Sequence, residues 1–175
     1  PELAPFGVKS LLTLNGDRHR AARAVVRKEW AASYDTDRIQ EATRISILGL
    51  FDDASRDYGE ALVDDVHAML FDSICAATGI GLGDAEALRD LVRLTAVASE
   101  PTFPARARDR LALSWNAAVR GVCDRSVPGS FASRLGERLE SPAADAHAAF
   151  QLAAGVETLT TAVCDLVAAR CGSMD

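Results

Sequence analysis

Apolar residues return every third or fourth position along most of this chain, which is the spacing that places them on one side of an α-helix. Ala22, Val26 and Trp30 form the first such stripe, on a helix expected from about 16 to 30 after the Asn15-Gly16-Asp17 turn and cap. Ile39, Ala42, Ile45 and Leu48 form the second, with Thr36 or Asp37 as its cap. Leu62, Val66, Leu70 and Ile74 mark a third helix over about 60–78. The glycine-rich break TGIGLGD follows at 78–84, and Asp84 is positioned to cap a helix carrying Leu88, Leu91, Thr95 and Ala98.

Pro101 and Pro104 bracket Phe103 in a segment that should not be helical. Leu111, Trp115, Ala118 and Val122 predict the next helix, ending near Pro128-Gly129, and Phe131, Leu135 and Leu139 predict a short one after it. Ser141-Pro142 then provides N-cap and first-turn proline for a helix of about thirty residues reaching Cys171. No hairpin signal, repeat, low-complexity tract or dividing linker interrupts this series. The expectation is a single all-α unit over 1–175.

Composition agrees and adds limits. A chain of 175 residues, 49% hydrophobic and 25% charged, matches a globular domain, and one of this size buries about 70% of its unfolded surface. No run approaches the 18 apolar residues of a membrane span, and no leader pattern opens the chain, so a cytoplasmic, non-membrane protein is expected. The chain starts at Pro1 instead of a methionine, which is the expectation for a processed product or an excerpt. Net charge is -6, with 19 basic against 25 acidic residues, so a general nucleic-acid surface is not expected. Cys75, Cys123, Cys164 and Cys171 lack metal-ligand spacing and read as buried thiols, and His19, His67 and His147 are too dispersed for a zinc site.

Two segments depart from ordinary helix design. In GDRHRAARAVVRKEW (16–30), His19, Arg23 and Arg27 stand at i, i+4 and i+8 on nearly one side of a helix, where like charges repel by a few tenths of a kcal/mol per pair (about 0.2–0.5). An anion close by would relieve them; a solvated arginine-rich face is the competing reading. In QLAAGVETLTTAV (151–163), Gly155 costs roughly 1 kcal/mol relative to alanine, and several β-branched residues add to that. The missing bulk at Gly155 admits something close to the backbone, and adjacent Glu157 and Thr158 offer a carboxylate and a hydroxyl for proton delivery. The competing reading is a helix crossing at a small residue, with threonines bonding to carbonyls one turn back.

Together these segments resemble the cytochrome P450 family. Its helix C carries D-G-x-x-H-x-x-x-R, and N-G-D-R-H-R-A-A-R matches it with Asn15 in place of the acid and with His19 and Arg23 in register. Its helix I carries A-G-x-(D/E)-T-(T/S), matched by Ala154, Gly155, Glu157 and Thr158, with Leu159 departing at the end. The separation, 135 residues from Arg23 to Thr158, also agrees. The intervening helices would be D to H, SICAATGI (73–80) would end helix E, and 101–104 would lie at the F-G substrate lid.

The resemblance implies the central helical portion of that fold, helices C to I, incomplete at both ends. It implies haem as cofactor, with His19 and Arg23 on the propionates, Ala154 and Gly155 opening a groove for dioxygen, and Glu157 and Thr158 passing protons to it. The implied activity is oxidation of a small apolar substrate with electrons from a ferredoxin or similar donor. The bias of 17 Arg to 2 Lys suits a soluble bacterial type.

The family's F-x-x-G-x-x-x-C-x-G loop, source of the axial thiolate, is absent from these residues, so this segment alone is expected to be inactive and no metal ligand is assigned in it. Glu41–Arg44 and Glu86–Arg89 fit the family's E-x-x-R letters but precede helix I and read as surface pairs. Two other functions remain open: a haem-free helical remnant acting as a binding module, and a regulator-type bundle that binds a small ligand. Gly79, Gly81 and Gly83 read as a helix end and turn and not as a nucleotide loop.

Overall fold

The computed structural model describes residues 11, 14–33, 35–51, 61–98 and 102–171. They form seven helices and, among the described residues, no strand: α1 (Gly16–Ser33), α2 (Thr36–Phe51), α3 (Ala61–Thr78), α4 (Leu82–Ala98), α5 (Ala105–Val119), α6 (Phe131–Arg138) and α7 (Ser141–Cys171). No helix among the described residues is long and apolar enough to cross a membrane.

Helix α7 is the central element, in contact with α3, α4, α5 and α6. Its first half explains why. Ala144, Ala148, Ala149, Leu152 and Val156 are all fully buried, and the small alanines let neighbouring helices approach closely while Leu152 and Val156 fill the space between them. The core continues through Phe71, Leu88, Val92, Trp115, Phe131 and Leu135. Helix α1 rests on α6, where Trp30 and Phe131 meet edge to face with ring centroids 5.0 Å apart.

Two connections are fixed by identifiable contacts. Gly79 ends α3 at φ +75°, and its amide donates to the Cys75 carbonyl at 2.8 Å. The Gly79 carbonyl accepts from Val127 N at 2.9 Å, and a Cβ there would collide with Ser130, so glycine is required both by conformation and by space. Buried Asp145 on α7 accepts from the amides of Gly121 (2.8 Å) and Cys123 (3.0 Å), and from the Ser141 hydroxyl at 3.2 Å. One carboxylate thereby satisfies two amides of the turn after α5.

The differences from the sequence-based expectations are local. Asp35, one residue earlier than expected, accepts from Arg38 N at 3.0 Å and caps α2. Helix α4 begins at Leu82, so Asp84 lies inside it; the Gly81 carbonyl accepts from Ala85 N. Helix α5 stops at Val119 because Gly121 takes φ +73° and the chain turns, although Val122 remains fully buried. Ser141 directs its hydroxyl to Asp145, and the Glu140 carbonyl accepts the first amides of α7. On α2 the expected buried stripe is only half formed: Ile45 and Leu48 are exposed.

Candidate functional site

The residues singled out on α7 sit where that helix crosses α3. Gly155 is half-buried, and a Cβ on it would lie 2.8 Å from Ile74 Cδ1 of α3, so the missing bulk is occupied by a side chain of the neighbouring helix. Ala154 is also half-buried. One turn later Thr161 donates to the Glu157 carbonyl at 3.1 Å, the back-bonding expected of a helical threonine. Both features of the helix-crossing reading are therefore present.

Glu157 is half-buried, and its Oε1 lies 3.3 Å from Nε2 of His67 on α3. Its partner is thus a histidine ninety positions earlier, while neighbouring Thr158 is exposed and faces away from the crossing. The helical spacing accounts for this, because consecutive residues are about 100° apart on a helix (about 3.6 residues per turn). The direct carboxylate–hydroxyl coupling expected from adjacency is replaced by a carboxylate–imidazole pair.

A cavity of about 340 Å³ opens over this pair, lined by Val63, His67, Arg93, Glu157, Thr160 and Cys164 among others. Thr160 is buried and its hydroxyl has no hydrogen-bond partner among the described residues. At the edge, Arg93 of α4 bridges to Asp64 of α3 at 2.6 Å. Burial pushes the His67 imidazole below its ordinary value; the charge and hydrogen bond of Glu157 oppose this, Arg93 reinforces it and Asp64 opposes it. His67 is therefore neutral near pH 7, and its Nε2–H can donate to the Glu157 carboxylate.

On α1 the division between buried and exposed sides is sharp. Ala22 and Val26 are buried, His19 is half-buried, and Arg18, Arg20, Arg23, Arg27 and Lys28 are exposed. Arg20 pairs with Asp17. Neither His19 nor Arg23 meets a side-chain partner among the described residues. Sequence reasoning missed the acid on this helix: Glu29 is 1% exposed and is held by Arg134 at 2.9 Å and Arg138 at 3.5 Å, both from α6. Its signal was available, since Glu29 lies three residues from Val26 on the buried side. The site residues of α1 and α7 do not meet; α6 stands between them, packed on both.

The donor set bears on which cofactor the chain could hold. His19 and Arg23 offer uncommitted hydrogen-bond donors at i, i+4, which fits the carboxylate edge of a haem. The sulfur side does not fit. Cys75 and Cys123 are buried free thiols; burial first, then Asp72, pushes Cys75 up to about 12, and burial with Asp145 raises Cys123 further. Among the described residues no group of three or more His, Cys, Asp or Glu side chains is arranged to hold a metal ion. Glu41 and Arg44 form an exposed two-pronged pair at 2.7 and 2.8 Å, as a surface i, i+3 pair should. Compared with family models, with curated proteins and with solved structures, the chain matches none.

Proposed function

We propose that these residues are the helix C to helix I portion of a haem-thiolate monooxygenase of the cytochrome P450 type, acting on a small apolar substrate with electrons from a ferredoxin-like donor. The observation that carries this reading is the order of parts. Among the described residues, five helices separate the helix bearing His19 and Arg23 from the long helix bearing Ala154-Gly155-x-Glu157-Thr158, the number that D to H requires. The exposure of Arg23 and Thr158 supports it as well, because both then belong to faces that a cofactor and further chain would cover.

When bound, haem would supply the redox chemistry, with its sulfur ligand coming from a cysteine loop outside these 175 residues. His19 and Arg23 would donate hydrogen bonds to its propionates. Glu157 would take up a proton on the side of α7 that faces His67 and the cavity, and its side chain would have to leave His67 and rotate to pass that proton toward exposed Thr158. The Thr158 hydroxyl is then both acceptor and donor at the open face. His67 and the α3 crossing hold the carboxylate when it is not in transit.

The test is expression of the whole open reading frame that contains this segment, followed by the reduced carbon monoxide spectrum. A thiolate-ligated haem signature is expected, and in that protein Thr158→Ala uncouples oxygen consumption from product formation. A reading frame without the cysteine loop, or a protein without the thiolate signature, removes the proposal.

A further inference from the structure

Away from α7, the α4–α5 pair carries a groove of about 570 Å³, within the range of ligand-sized clefts (roughly 300–1,000 Å³). Leu91 and Leu94 of α4 form one wall, and Phe103, Ala107 and Leu111 form the other. Leu94 is 45% exposed, so the apolar wall reaches solvent. At its end Arg108 donates to the carbonyls of Ala98 at 3.0 Å and Phe103 at 3.4 Å, so the Phe103 backbone is held in place before anything binds.

Among the described residues that line this groove the charged groups have one sign, and Ser114 is the one neutral polar side chain. Arg106 and Arg110, at i and i+4 on α5, both line it, both are exposed, and neither has a carboxylate partner among the described residues. Helix α5 also begins without a side-chain cap, and its first turn contains no acid, so the positive end of its dipole adds to the same region. An apolar trough bordered by two uncommitted guanidiniums is complementary to a molecule with an apolar body and an anionic head.

We propose that this groove binds a monomeric anionic amphiphile of the medium-chain carboxylate class, with the chain along Leu91, Leu94, Phe103 and Leu111 and the carboxylate on Arg106 and Arg110. Guanidinium–carboxylate pairing with parallel donors favours this head group, and the apolar side chains of Leu91, Leu94, Phe103 and Leu111 favour an apolar tail. The site shares no residue with the His67–Glu157 cavity and stands whether or not the chain belongs to a haem enzyme.

Dodecanoate, kept below its micellar concentration, is the probe, titrated into the 175-residue chain by calorimetry, with 1-dodecanol as the neutral control. Saturable one-to-one binding of dodecanoate is expected. Arg106→Ala with Arg110→Ala weakens it by about tenfold or more while leaving dodecanol unchanged, since two charge-assisted contacts are lost. Leu94→Asp, at an exposed position, abolishes binding of both, and circular dichroism checks that each variant keeps its helices. Absence of saturable binding, indifference to the arginine pair, or binding only to phosphatidylglycerol vesicles overturns the proposal; the last outcome would assign the arginines to a lipid surface instead.

Discussion

Glu29 and Glu157 are two helical carboxylates in the two segments that carry the functional reading, and they are used in opposite ways. Glu29 is almost completely buried and held by two arginines of α6. Glu157 is half-buried, touches one imidazole that burial keeps neutral, and borders an open cavity. A buried carboxylate with its charge matched by two cations has nothing left to give and fixes the docking of one helix on another. A carboxylate with a neutral partner and access to solvent can exchange a proton. The difference lies in the surroundings, not in the residue type.

The largest effect should come from disturbing the first of these. Arg134→Ala leaves Glu29 buried with only the longer contact to Arg138, and unfolding free energy should fall by about 3 kcal/mol in chemical denaturation. Replacing Glu29 and Arg134 together with methionine should recover most of that loss, because an apolar pair of similar volume needs no counter-charge and Arg138 is largely exposed. If Arg134→Ala costs no more than a surface pair, the clamp reading of Glu29 is wrong.

Next in size is the response to acid. His67 and His147 are both buried, and burial lowers both below the ordinary 6.5. The unfolded chain then binds protons at these residues before the folded one does, so stability is full above about pH 6.5 and declines as pH falls below it. His147 Nδ1 has no hydrogen-bond partner among the described residues, so His147→Leu should be close to neutral at pH 7 and should flatten the acid limb. A variant with the same acid sensitivity as the parent would exclude His147 as a contributor.

The smallest thermodynamic effect belongs to Glu157. Glu157→Gln should change stability by less than about 1 kcal/mol, as expected for a partly exposed pair. It should nonetheless move the His67 imidazole further down, because the group that opposes its desolvation is gone. An NMR titration of His67 reads this directly, and an unchanged midpoint would mean that the two side chains are not coupled in solution.

Much of the fold was legible in the pattern of apolar positions, since helical periodicity reports which face is buried. The stripes on α3 and α4 and the α7 boundaries are near where spacing placed them. Periodicity does not report whether a partner exists for the face, and on α2 Ile45 and Leu48 are exposed despite correct spacing. It also does not register single charged residues used inside an interface, which is why Glu29 and Asp145 were missed. At the candidate site, Glu157 stood out in the sequence from its motif context. Its partner was not, because His67 reaches it only through the packing of α3 on α7. At Gly155 the group that comes close is Ile74 of α3, as the helix-crossing reading expected.

The most direct measurement for the functional account is haem content per chain in the protein expressed from the whole reading frame. One haem per chain is predicted, falling in His19→Ala with Arg23→Ala while Glu157→Gln retains it. No haem in the parent protein, or full retention in the His19/Arg23 double variant, would contradict the account.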